Sequence, residues 1–137
     1  MLDREIRALV EFRLEQARDC LQSAEVSAEA ELYKDAANRS YYCIFHCIRA
    51  ILALDKIDSK KHSGIISAFR QRYIKTGKFN SVFSDIIGDA FEVRNSSDYE
   101  DFYIISRMDV NHQIENAKIF IKAVGEYIEQ ISSNSQK

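Results

Sequence analysis

The stretch Asn38-Arg39-Ser40-Tyr41-Tyr42-Cys43-Ile44-Phe45-His46-Cys47-Ile48-Arg49-Ala50-Ile51-Leu52 carries apolar side chains on nearly every side of a helix. A helix of that kind must be covered nearly all round, so the stretch predicts a rod surrounded by other helices. In a small bundle such a rod is central or lies at a subunit contact, and both are expected here. Its helix should span about residues 30 to 55.

The flanking sequence supplies the cover. On the N-terminal side Ile6, Leu9, Val10, Arg13, Ala17, Cys20, Leu21 and Ala24 recur at threes and fours, the helical period, so a first helix is expected over about 3 to 29. On the C-terminal side Asp58 or Ser59 can cap a third helix running to about Thr76, where Gly77 supplies a left-handed stop and Gly64 permits a close approach. A fourth helix, about Asn80 to Tyr99, places Val82, Phe83, Ile86, Ile87, Ala90, Phe91 and Arg94 on one stripe, and the polar run Asn95 to Asp98 should weaken its end. Ser106 and Asp109 resemble a capping pair for a last helix whose apolar face is Val110, Ile114, Ala117, Phe120, Ile121, Val124, Tyr127, Ile128 and Ile131. With no proline and only four glycines, these helices can run long. The expected fold class is all-α, an up-and-down bundle of four long helices and one short one. Residues 1–131 should form a single domain, with residues 132–137 as a frayed tail.

A chain of 137 residues with 46% apolar content can fill one core and would struggle to fill two. It holds no run of eighteen apolar residues and opens on the charged Met1-Leu2-Asp3-Arg4-Glu5, so neither a membrane span nor a secretory signal is expected, and the cytoplasm is the expected compartment. Cys20, Cys43 and Cys47 lack disulfide spacing, which fits a reducing compartment. Cys43 and Cys47 with His46 make at most half a zinc site, so core packing is the expected role and no metal or cofactor is expected. The net charge of −2 excludes a general nucleic-acid coat. Its distribution is uneven: residues 56 to 78 balance at +6 and residues 79 to 109 at −5. These are either two faces that neutralise each other or a surface that guides a polyanion.

Phosphate-binding glycine loops, GxSxG, HExxH and paired CxxC are absent. What remains is polar groups on apolar helices. Arg39, Tyr42, His46 and Arg49 fall in one band of the second helix, and burying them is costly unless they meet partners. Arg94 and Asp98, four apart on the fourth helix, can form a pair on one face, which by itself reads as a structural ion pair.

Taken in order, Asn38-Arg39-Ser40-Tyr41-Tyr42 with Phe45-His46, Lys61-His62-Ser63-Gly64, Lys75-Thr76-Gly77, and Phe91-Glu92-Val93-Arg94-Asn95-Ser96-Ser97-Asp98-Tyr99 resemble the small prokaryotic HEPN-domain proteins. The resemblance implies a HEPN helical bundle, commonly a homodimer, often encoded beside a minimal nucleotidyltransferase as toxin and antitoxin. Many such proteins are metal-independent ribonucleases whose signature is Arg, usually a polar residue, and then His a few positions on. Arg94 and Asn95 match the first two positions, but Tyr99, preceded by Asp98, stands where His is commonest. The branch most resembled tends to carry this Asp-Tyr pair.

Cleaving RNA without metal requires a base, a cation at the phosphorane and an acid for the leaving oxygen. Arg94 can be the cation, but Asp and Tyr at their ordinary pKa values are a weak base and a weak acid. Catalysis would need Asp98 assisted by its surroundings, or His46 or His62 brought close by the bundle or by a second protomer. Each histidine has a plainer reading: His46 as a core residue bonded to Tyr42 or a carbonyl, and His62 as a helix-start residue. Arg39, Tyr42, Asn95 and Tyr99 are candidate binding residues, with Lys61 beside His62 suited to phosphate. By the resemblance, Tyr99 is also a candidate for adenylylation by a partner nucleotidyltransferase, or else an aromatic plug at the bundle end. Two readings stay open: a ribonuclease-like toxin with a dimeric cleft around Arg94 and Asp98, or a non-catalytic HEPN module that binds a nucleotide, RNA or a nucleotidyltransferase.

Overall fold

The computed structural model describes residues 3–135. Among them, five α-helices follow in order: α1 (Arg4–Glu29), α2 (Tyr33–Leu54), α3 (His62–Phe69), α4 (Val82–Tyr99) and α5 (Arg107–Ser135), with a π-helical turn at Arg70–Ile74 continuing α3. This is the expected all-α bundle of four long helices and one short one.

Helix α1 starts where the Asp3 carboxylate accepts the Glu5 N–H at 2.8 Å, and it buries Val10, Arg13, Leu14, Ala17, Cys20 and Ala24 on one face. Glu31, in a left-handed conformation at φ 64°, reverses the chain, so α2 returns directly along α1. Helix α2 also touches α3, α4 and α5, and is therefore the central rod that its composition calls for. Ile44, Ile48, Ile51 and Leu52 are fully buried on it, and burying each such side chain stabilises the fold by about 1.5–3 kcal/mol. Cys43 and Cys47 lie within this core with no exposed surface, and burial pushes the Cys47 thiol well above its ordinary range.

Helix α3 begins later than expected, and neither Asp58 nor Ser59 caps it: Lys61 holds the cap position. Asp58 is drawn away by two guanidinium groups, Arg13 at 3.5 Å and Arg49 at 3.6 Å. Ser59 instead accepts the Lys61 N–H at 3.2 Å, and its hydroxyl approaches Gly64 so closely that a Cβ there would lie 2.6 Å from it. At the far end the Lys75 N–H reaches back five residues to the Arg70 carbonyl, and Gly77 at φ +82° turns the chain as expected. The π turn is held on both sides. Tyr73 packs with Phe69, Phe79 and Tyr127, while Arg70 bonds the Ser84 hydroxyl and carbonyl on α4.

Asn80 accepts the Val82 N–H at 2.9 Å at the entry to α4, whose Ile86, Ile87 and Ala90 face the core. Val82 and Phe91, expected on the same stripe, are exposed. The helix runs through the polar stretch Asn95 to Asp98 and ends at Tyr99, where its spacing predicts, with Ser97 buried. Ser106 accepts the Asp109 N–H at 3.1 Å as α5 begins. Helix α5 continues four residues beyond Ile131, to Ser135, so the segment expected to fray is helical as far as it is described; residues 136 and 137 lie outside the described residues. No helix among the described residues is long and apolar enough to cross a membrane.

Candidate functional site

Where the C-terminal half of α4 crosses α2, the two helices place their polar side chains against each other. Arg94 and Asp98, one turn apart on α4, pair at 3.1 Å through Nε and Oδ2 with both side chains largely buried. The N–H direction misses the oxygen, so the buried Arg94 Nε has charge compensation without a hydrogen bond. From α2, Asn38 donates to Asp98 Oδ2 at 3.1 Å, and Arg39 donates to the Asn38 side-chain carbonyl at 2.8 Å. Asn38 and Arg39 on α2 thus find partners that offset their burial.

Aromatic rings enclose the guanidinium. Arg94 Cζ lies 5.3 Å from the Tyr41 ring centre, 5.6 Å from Tyr42 and 5.6 Å from Tyr99, all within cation–π range. Arg94 Nη2 also donates to the Tyr42 hydroxyl at 3.4 Å. A second guanidinium, Arg39, lies 5.4 Å from the same Tyr42 ring. Nε is buried and Nη2 spends one of its two hydrogens on Tyr42, so Nη1 and the second Nη2 hydrogen are the Arg94 donors left for an outside group.

His62, the first residue of α3, joins this cluster beside Tyr41 and Tyr42. Its Nδ1 lies 3.0 Å from the Tyr41 hydroxyl, and its ring stacks on Phe45 at 4.0 Å. Burial, then the charges of Arg94 and Arg49, hold His62 below its ordinary pKa of 6.5. Burial pushes Tyr41 up to about 12. At neutral pH both groups are uncharged, and the His62 tautomer sets the direction of the bond: with the proton on Nδ1 donated to the Tyr41 oxygen, Nε2 keeps a free lone pair.

His46 lies farther along α2, its ring centre 6.1 Å from that of Tyr42. Its Nδ1 is buried and unbonded, so it makes neither the Tyr42 nor the carbonyl bond expected of it. Burial, then Arg49 and Arg39, lower its pKa. Arg49, the last member of the band, pairs with Asp58 beside Arg13, whose Nη1 donates to the Arg49 carbonyl at 2.9 Å. Asn95 and Lys61 are exposed at the edge of the cluster, and Tyr99 is 69% exposed, which leaves its ring open to solvent.

Arg94, Asp98, Arg39, Tyr42, Tyr99 and His62 are thus brought together, with His46 adjoining them. Two members were not singled out from sequence, Asn38 and Tyr41. Asn38 lies one helical turn before Tyr42, so the spacing already pointed to it, whereas Tyr41 lies about 100° round the helix from Tyr42 and is not on the face that Arg39 and Tyr42 mark. The basic 56 to 78 segment is partly consumed within the fold, Arg70 on Ser84, Arg72 on Asp55 and Lys78 on the Tyr73 ring. Lys60, Lys61 and Lys75 stay exposed.

Known proteins resemble this chain over most of its length. The HEPN domain matches residues 10–127. A UPF0332 protein of Thermotoga maritima is 31% identical over 90% of this chain and 93% of its own length. A Methanocaldococcus jannaschii protein named "Putative toxin" is 30% identical over 93% of this chain and 86% of its own. A second protein of that name and organism is 32% identical over 72% and 74%.

Proposed function

The chain belongs to the HEPN domain family, and on that premise we propose that it is a toxin-like protein that cleaves RNA with Arg94 as cation and His62 as base. The observation that carries this reading is the tyrosine pair shared by the two groups: Tyr41 fixes His62 through its hydroxyl while its ring lies against Arg94. The imidazole missing after Arg94 in sequence is thereby replaced by one that arrives from α3.

In the reaction, neutral His62, with its own proton on Nδ1 and donated to the Tyr41 oxygen, accepts the 2′-hydroxyl proton at Nε2, and the 2′-oxygen attacks phosphorus. Arg94 Nη1 stabilises the charge that develops on the non-bridging oxygens. The bond to the 5′-oxygen breaks, that oxygen takes a proton from water, and a 2′,3′-cyclic phosphate remains; His62 then releases its proton to solvent. Asp98 and Asn38 act as positioning residues that hold Arg94. His46, with its Nδ1 buried, is a poorer candidate for the proton transfer.

The toxin names of the relatives and the family's habit of pairing support a homodimer acting with an antitoxin partner in the cytoplasm. Three apolar side chains that follow α4 in the chain, Phe102, Ile104 and Met108, are each more than three-quarters exposed, which supports contact with a second protomer. Exposed Tyr99, packed on Arg94, is the residue whose adenylylation by a nucleotidyltransferase partner would block the site with bulk and negative charge.

Purified protein incubated with RNA in EDTA, with product ends identified, tests the proposal: cyclic-phosphate ends lost in Arg94→Ala support it, and intact RNA contradicts it. A second reading is favoured by the Asp98 contact, which already neutralises Arg94: a non-catalytic module that binds RNA, a nucleotide or a nucleotidyltransferase. It predicts ligand-dependent thermal stabilisation without cleavage.

A further inference from the structure

Beside the polar cluster, between the α3–π segment and α4, lies a groove of about 540 Å³, within the size range of small-ligand sites. Its floor is Ile66, Ile74 and Ile87, its wall toward the cluster is Phe91, and Arg70 and Lys75 stand at its rim. The π turn shapes it. Winding from i to i+5 brings Arg70, Ile74 and Lys75 toward one face, where a regular α-helix would turn Lys75 away.

Arg70 is held in place at this rim. Its Nε and Nη2 are engaged by Ser84, and across from it α4 presents Gly88, where a Cβ would sit 3.7 Å from Nη2. Nη1 and the second Nη2 hydrogen are left for an outside group. The groove is also continuous with the candidate site, because the Phe91 ring meets the edge of Tyr41, 6.2 Å between centres, and Ser63 lines it directly after His62.

An apolar floor, a half-exposed phenyl wall and a fixed guanidinium suit a flat heteroaromatic ring with polar edges, and an exposed lysine at the rim suits a phosphate. We propose that this groove receives one unstacked base of a single-stranded RNA whose adjacent phosphate lies at Arg94 and His62, and that it sets which base precedes or follows the cut. The proposal rests on the RNA-cleaving reading given above.

Its test uses 2′-O-methyl homo-oligonucleotides of A, C, G and U, which bind but cannot be cleaved, titrated into full-length protein with isoleucine methyl groups observed by NMR. At least one oligonucleotide should shift the Ile66, Ile74 and Ile87 methyls saturably, inorganic phosphate alone should not, and Gly88→Leu and Lys75→Ala should each weaken binding about tenfold or more. Should Gly88→Leu fail to fold, Lys75→Ala decides. The proposal is overturned if no oligonucleotide moves these methyls, if phosphate moves them equally, if the variants bind as wild type, or if they shift with protein concentration alone, which would mark a contact between copies. Because these probes resist cleavage, groove shifts in a protein that leaves natural RNA intact would remove the catalytic reading and keep the groove. Cleavage without groove shifts would do the reverse.

Discussion

The Tyr41 hydroxyl and Nδ1 of His62 are hydrogen-bonded across 3.0 Å, linking two residues that are 21 positions apart in the chain. The bond fixes which imidazole nitrogen faces outward, so Tyr41→Phe should lower cleavage about 10- to 100-fold while costing about 1–2 kcal/mol of stability. Rate and chemical denaturation measured on the same preparation check both. A change in stability with no change in rate would make the bond purely structural.

The pH dependence follows from the direction of the His62 shift. Burial holds His62 below 6.5 in the folded protein, so the base stays deprotonated, and active, to lower pH than a free imidazole would. The rate profile should have its acid limb below pH 6.5, and His62→Ala should remove that limb. Stability has the same sign: His46 and His62 both take up protons more readily in the unfolded chain. Their contribution is complete above about pH 6.5 and is lost as pH falls toward their lowered values. Melting temperatures across that window test this.

Asp98 holds both Arg94 and Asn38. Asp98→Ala leaves a largely buried guanidinium without its counter-charge and should lower unfolding free energy by about 2 kcal/mol. Asp98→Asn keeps the shape and should recover part of the stability, but should hold Arg94 less firmly. Denaturant midpoints of the two variants should therefore rank wild type, Asn, Ala.

Phe102 is fully exposed in a left-handed conformation at φ 64°, next to the exposed Ile104. If these residues seat a second protomer, Phe102→Ser combined with Ile104→Ser should shift the protein from dimer to monomer in light scattering without lowering its helix content. An unchanged dimer would place the contact elsewhere.

How much was legible in the sequence follows from the range of each interaction. The all-round apolar character of Asn38 to Leu52 is local information, and it marks the central helix correctly. The Arg94–Asp98 pair is likewise local, because the spacing of four fixes a shared face. The Asn38–Asp98 contact spans 60 positions, and the seat of His62 on Tyr41 depends on how a short helix is laid across a long one, so neither is written in any local pattern. The start of α3 was misplaced for the same reason: Asp58 has good capping chemistry, but two distant arginines compete for it. The π turn is likewise a product of packing around Tyr73 and of the Arg70–Ser84 bonds, not of helix propensity.

The most direct test of the central claim is the rate of RNA cleavage in EDTA by wild type, Arg94→Ala and His62→Ala, each verified as folded by its helical circular dichroism and thermal transition. Both variants should lose about a hundredfold or more. A His62→Ala protein that cuts RNA at the wild-type rate would contradict the assignment.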